Sequence, residues 1–314
     1  VLRDPFERRF PLMKYRIPPK VAMINSFAGY GRCSTTEVVP ILSAMKVQVC
    51  PVPTAVYSNH TGFPSYYCHD FTGQLPGYLE QWERLGLSFD GIYVGLLGQK
   101  EQIPVVADFI RHQRLRGCPL VLIDPIMGDH GNTYRPVSPE YCEGLKELVR
   151  LADIITPNIT EACLLTGARY KDNGWRQEEL ADICEKLHAF GPDKVAITGL
   201  RRRSPQGYYD SFINFVSQRR PGSGSLETTS TVTRTAGPSR HGTGDIFAAI
   251  VAGDAVRGGD FVASVEKAAS FISLCIHASD ELGIPEYDGI CFENFLGALI
   301  PPDEPNAPQR ADAT

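Results

Sequence analysis

From Val21 to Thr198, apolar runs of strand length alternate with stretches of helical apolar spacing, and this alternation limits the possible folds more than any other feature of the chain. Val21–Asn25, Val47–Val52, Gly91–Leu97, Pro119–Ile123, Asp153–Thr156 and Lys194–Thr198 read as strands. Thr35–Lys46, Leu79–Leu87, Ile103–Leu115, Glu140–Leu151, Glu161–Thr166 and Glu178–Phe190 read as helices. Alternation of this kind predicts an α/β fold with a doubly wound, mostly parallel sheet covered by helices on both faces. Such sheets bind ligands beyond the carboxyl ends of their strands, where Ser26, Asp124, Thr156 and Thr198 fall.

Two stretches break the pattern. Thr54–Thr61 reads as a strand outrunning the sheet into polar residues, a candidate flap that carries Tyr57, His60 and Thr61. Gly207–Val216 and Leu226–Thr235 flank a turn-rich Gln218–Gly224 and predict a small β-hairpin. Arg201–Arg203 and Arg219–Arg220 read as solvated loop charges.

With 314 residues, 43% of them hydrophobic, the chain can bury a large core, and a single domain is expected over 21–300. Residues 1–20 read as an arm without the apolar centre of a signal peptide, and 301–314, rich in proline, as a disordered tail. The net charge of −5 leaves no electrostatic footprint for nucleic acid or an anionic membrane. Nine scattered cysteines without a Cys-x-x-Cys pair predict free thiols and a cytoplasmic setting.

The chemistry concentrates at His241-Gly-Thr-Gly-Asp245, where a glycine turn opens into the apolar helical run Ile246–Val251. Free N–H groups and the positive end of a helix make an anion site there. Asp245, in the first turn, is suited to take a proton from a hydroxyl attacking that anion. Phosphoryl transfer to an alcohol follows, against the simpler reading of a glycine-rich helix entry with a dipole-matching acid. Asp124 and Asp129, on one turn at a strand end, could hold Mg²⁺ through water and phosphate oxygens, or merely end the strand. Thr156-Pro-Asn158 with Glu161 could be no more than an N-cap and its capping-box acid. Gly29-Tyr-Gly-Arg-Cys-Ser34 half-matches a dinucleotide fingerprint, but Ser34 replaces its third glycine and no acid follows the second strand. Neither a P-loop nor a His/Cys cluster with zinc spacing occurs.

Gly242-Thr-Gly-Asp245, Asp124-Pro-Ile-Met-Gly-Asp129, Thr156-Pro-Asn-Ile-Thr-Glu161, Ser58-Asn-His-Thr-Gly62 and Ser26 before Tyr30-Gly31 stand in an order that resembles the vitamin B6 (pyridoxal/pyridoxamine) kinases of the ribokinase-like superfamily. The resemblance runs from about Val21 to about Ala278. It implies ATP-dependent phosphorylation of the 5′-hydroxymethyl of pyridoxal, pyridoxine or pyridoxamine, with Mg²⁺, often K⁺ or another monovalent cation, and usually a homodimer. It further implies Asp245 as base and Gly242, Thr243 and Gly244 as anion hole. Ser26, Tyr57, His60 and Thr61 would face the substrate, and Asp124, Asn158, Thr198 and Gly199 the nucleotide. Asp124, Asp129 and Glu161 would organise the metal. The chain departs from the pattern at Leu96, where many members carry tyrosine, and at His241, where some carry cysteine. Two other readings are a hydroxymethylpyrimidine kinase of the same superfamily and, from another class, a non-catalytic cofactor-binding protein. A sugar kinase fits less well, because the Ser58–Gly62 segment follows the B6 branch.

Overall fold

The computed structural model describes residues 17–134, 137–203, 209–234 and 240–302 of the chain. In chain order these form β1 (Lys20–Ala28), α1 (Thr35–Ala44), β2 (Gln48–Tyr57), β3 (Cys68–Asp70), α2 (Leu75–Arg84), β4 (Gly91–Val94), α3 (Gln102–Leu115) and β5 (Val121–Ile123). Next come a small hairpin of β6 (Gly128–Asp129) and β7 (Asn132–Thr133), then α4 (Pro139–Val149), β8 (Ile154–Ile155), α5 (Ile159–Thr166), α6 (Gln177–Phe190) and β9 (Lys194–Arg203). The chain continues through β10 (Tyr209–Arg219), β11 (Leu226–Arg234), α7 (Thr243–Val256) and α8 (Phe261–Glu281). One nine-stranded sheet has the order β11-β10-β9-β8-β5-β4-β1-β2-β3. Strands β2, β1, β4, β5, β8 and β9 run parallel; β3 and β10 pair antiparallel with β2 and β9, and the edge strand β11 pairs antiparallel with β10.

Two cores follow from the two faces. On one, the sheet packs against α2 to α6 through Leu75, Ile103, Leu145, Ile159 and Ile183. On the other, Val38, Ile41 and Leu42 of α1 meet Ile246, Ala249 and Ile250 of α7 and Val265, Ala268 and Phe271 of α8. The chain leaves β1 for β2 on one side and returns to β4 on the other, so the strand order reverses between β1 and β4. A crevice opens at such a reversal.

The expected elements occur with shifted ends, and several were not foreseen. Residues Thr54–Tyr57 continue β2 inside the sheet instead of outrunning it, and the strand stops at Tyr57, short of the expected Thr61. Pro51 and Pro53 obscured this: spaced by two, they remove N–H groups from one side of the strand only. The last residues of that strand are paired on both sides, with Phe27 and Ala28 of β1 and with β3. Helix α2 begins earlier and ends sooner than Leu79–Leu87, and β9 runs on past Thr198 to Arg203 because β10 pairs with it throughout. Arg201–Arg203 and Arg219 therefore lie in strands and not in loops; the Arg219 guanidinium donates to the His188 carbonyl (3.0 Å), and Arg201 lies over the Phe212 ring. The hairpin of β10 and β11 forms as expected, although its expected outer limits at Gly207 and Thr235 lie outside the described residues. Helix α8 is long and apolar enough to cross a membrane by length and composition. Its buried face against α7 accounts for that composition. Residues 1–16 and 303–314, most of the expected arm and tail, lie outside the described residues. Lys20, placed in the arm by the sequence, opens β1 and its N–H donates to Asp90. All nine cysteines are free, as expected.

Candidate active site

At the β1–β4 reversal the apolar run of β1 ends in Asn25, which is fully buried. Its Oδ1 accepts the N–H groups of Ser26 (2.8 Å) and Leu96 (3.0 Å). With that oxygen committed, its Nδ2 can only donate outward, and it does so to Asp245 Oδ1 at 3.0 Å. A Cβ at Gly95 would stand 2.7 Å from the same side-chain amide, so glycine is needed for this approach. The other Asp245 oxygen accepts the Ser34 N–H at 2.9 Å. Ser34 holds φ of 55°, a strained value for a non-glycine residue. Thus Asp245 receives one donor per oxygen from chain more than 200 positions away. Burial raises its pKa above the ordinary carboxylate range, and these two donors partly offset the rise.

Gly242 caps α7 with φ of 85°. A Cβ there would overlap the Glu37 carboxyl and the Arg32 carbonyl, so both backbone conformation and space demand glycine. Gly244 differs: its φ is not positive and nothing lies within 4 Å of a Cβ placed on it. Thr243 Oγ1 donates back to the Arg240 carbonyl (3.3 Å). Arg240 itself is buried, pairs with Asp280 (2.7 Å) and donates to the carbonyls of Ile284, Pro285 and Gly289.

A second acidic group faces this turn. Asp124, at the end of β5, accepts from Thr156 Oγ1 at 3.0 Å. Burial, and then the Asp245 charge, raises the pKa of Asp124, and burial followed by the Asp124 charge raises that of Glu161. No lysine or arginine pairs with Asp124, Glu161 or Asp245 among the described residues. The carboxyls thus form a chain of influence, Asp245 on Asp124 and Asp124 on Glu161, without a cluster of three ligating side chains close enough to hold a metal ion among the described residues. Glu161 also does what the sequence offered as the alternative: Asn158 and Glu161 form a complete capping box on α5, and the second Glu161 oxygen accepts the Met127 N–H. The Asn158 amide donates to the Gly128 carbonyl, fixing the β6–β7 hairpin that carries Asp129. Asp129 is half-buried and accepts the His130 N–H. Thr198 is half-buried and bonded through its N–H to the Pro157 carbonyl, while Gly199, with φ of 74°, is exposed at the same rim.

The residues expected on the substrate side differ in burial and partners. Ser26 is buried and donates its hydroxyl to Ser34 Oγ at 2.9 Å. Tyr57 is buried at the end of β2, edge-on to Tyr66. His60 is anchored, with Nε2 donating to the Tyr287 carbonyl (2.7 Å) and Nδ1 accepting the Gly62 N–H. Its ring lies 4.5 Å from that of His241, joining the expected flap to the Gly242–Gly244 turn. Thr61 is exposed on the same loop. Asn25, Ser34, Glu37 and Arg240 were missed from the sequence. A polar residue closing a buried strand, and an acid inside the apolar face of α1, were the available signals for Asn25 and Glu37.

The chain matches the phosphomethylpyrimidine kinase family over residues 80–289. It is 34% identical to the pyridoxal kinase of Homo sapiens over 227 residues, which cover 67% of this chain and 69% of that one. A Bacteroides thetaiotaomicron protein assigned as a phosphomethylpyrimidine kinase and solved with pyridoxal superimposes with a TM-score of 0.82 at 33% identity, over 90% of this chain and 96% of that one. The pyridoxal kinase of Lactobacillus plantarum shares the fold at a TM-score of 0.79 and 24% identity, over 90% and 96% of the two chains.

Proposed function

The chain belongs to the phosphomethylpyrimidine kinase family, with pyridoxal kinases among its relatives, and on that premise we propose that it uses ATP to phosphorylate the 5′-hydroxymethyl of pyridoxal, pyridoxine or pyridoxamine. The observation that carries this reading is Asp245, a buried carboxylate held by Asn25 and the Ser34 N–H in the first turn of α7. The substrate oxygen attacks the γ-phosphorus of ATP while the bond to the ADP oxygen breaks, and the hydroxyl proton passes to Asp245. Free N–H groups of the Gly242–Gly244 turn and the positive end of α7 meet the phosphoryl charge. Transfer of this kind demands positioning and charge neutralisation above all.

Asp124 and Glu161, with Asp129 at the rim, would hold Mg²⁺, which when bound neutralises phosphate charge. K⁺ or another monovalent cation belongs to the same reading. Asn158, Thr198 and Gly199 would line the nucleotide side, through backbone and shape more than through the committed Asn158 amide. Ser26, Tyr57, His60 and Thr61 would frame the ring. A homodimer and a cytoplasmic setting belong to the same reading; the free cysteines support the latter. The single domain expected over 21–300 is supported by the one sheet that spans β1 to β11.

The family match keeps hydroxymethylpyrimidine as a second substrate class. An ADP-release assay with pyridoxal, pyridoxine, pyridoxamine, hydroxymethylpyrimidine and ribose tests the reading. Release dependent on a B6 vitamer supports it, release with the pyrimidine alone favours the second class, and no release with any of them refutes both.

A further inference from the structure

Glu37 lies on α1 with no exposed surface, and neither carboxyl oxygen has a hydrogen-bond partner. Both oxygens fill the space that a Cβ on Gly242 would take, beneath the turn assigned above to phosphate. The groups around it are unevenly charged. Asp245 faces it from α7 and Glu293 from the segment after α8. Arg32, the nearby cation, is already engaged by Glu293 (2.6 Å) and the Asp288 carbonyl (3.0 Å). The Cys33 and Cys275 thiols and the buried, unpartnered Tyr93 hydroxyl complete the surroundings. The Arg32 carbonyl crowds the same side of Gly242; it can accept from a protonated carboxyl but can only repel an ionised one.

We propose that Glu37 sets from beneath how strongly the catalytic turn holds phosphate. As the neutral acid it leaves the positive end of α7 to the nucleotide. Ionised, it would take that field for itself, since a negative charge at a helix N-terminus is favoured on either side of the turn. Burial, and then the Asp245 charge, holds the Glu37 carboxyl well above the ordinary carboxylate range, which keeps the neutral form in place near neutrality. Deprotonation needs no group other than solvent base: the proton leaves and the charge stays under Gly242. Glu37 is thus a positioning residue acting through the turn, and the inference rests on the kinase reading.

The test compares KM for ATP and KM for pyridoxal in the wild type and in Glu37→Gln across about pH 6 to 9.5. ATP KM in the wild type is expected to rise roughly threefold or more toward the alkaline end, that of Glu37→Gln to stay flat, and pyridoxal KM to be the same in both. Should Glu37→Gln not fold, Glu37→Leu, neutral and of similar length, is expected to show the same flat profile. Superimposed profiles, or ATP and pyridoxal KM moving together, would overturn the proposal. Absence of vitamer-dependent ADP release from the wild type overturns the kinase reading instead, and is measured first.

Discussion

Replacing Asp245 with asparagine separates catalysis from stability. The asparagine keeps one acceptor oxygen but turns an NH₂ toward a donor, either the Asn25 amide or the Ser34 N–H. Leaving one buried donor unpaired costs about 1–3 kcal/mol, lessened by removal of a buried charge. Against a typical domain stability of about 5–15 kcal/mol the variant folds, with a melting temperature lower by a few degrees at most. Loss of a general base costs roughly 10²–10⁴ in kcat, about 3–5 kcal/mol on the barrier. Turnover therefore falls far more than stability, and KM for ATP hardly moves. The acid limb of the wild-type pH–rate profile, expected above the usual carboxylate range because burial raises the Asp245 pKa, should vanish in the variant. ADP release measured against vitamer concentration checks both points. A folded Asp245→Asn enzyme within about tenfold of wild-type turnover would remove Asp245 from the proton transfer.

The two glycines of the turn should part company: Gly242→Ala, forced into Glu37 and Arg32, loses stability by thermal melting, whereas Gly244→Val, with open space around it, keeps its melting temperature and loses turnover. Thr61→Val should raise KM for a B6 vitamer by roughly fivefold or more, leaving KM for ATP unchanged; the reverse outcome would move the flap to the nucleotide side. Because Asp124, Glu161 and Asp245 have raised pKa values in the fold, the folded chain binds more protons than the unfolded one above the ordinary carboxylate range. Stability of the ligand-free protein is then fully present below that range and lost as pH rises toward the folded values. Melting followed from about pH 5 to 8 should show this decline, and Asp124→Asn should flatten it; a variant with the wild-type slope would refute the carboxyl origin.

Sequence spacing revealed the sheet because parallel strands buried on both faces are nearly continuous apolar runs, as in Ile92–Val94 and Val121–Ile123. Asp245 stood out because two glycines announce a helix entry. Its holders did not, because hydrogen bonds from Asn25 and Ser34 depend on where distant chain is brought in three dimensions. Glu161 read two ways from the sequence, and the structure realises the capping box in full while leaving its charge facing Asp124. Helix α8 escaped notice because small residues such as Ala263, Ser264, Ala268 and Ser273 dilute its apolar period.

The loop at 284–289 ties His60, Tyr30, Arg32 and Arg240 together. The Tyr287 carbonyl accepts a hydrogen bond from His60 Nε2, and the Tyr287 ring stacks near Phe63. Asp288 accepts from the Tyr30 hydroxyl and, through its carbonyl, from Arg32. The carbonyls of Ile284, Pro285 and Gly289 hold Arg240, two residues before Gly242. During synthesis β1, which carries Asn25, and β5, which Asp124 follows, leave the ribosome long before this loop does. A chain stalled or clipped ahead of it can therefore have its sheet and its acids in place yet lack the brace that sets flap against turn. Limited proteolysis at this loop should silence the enzyme while leaving most of its secondary structure standing.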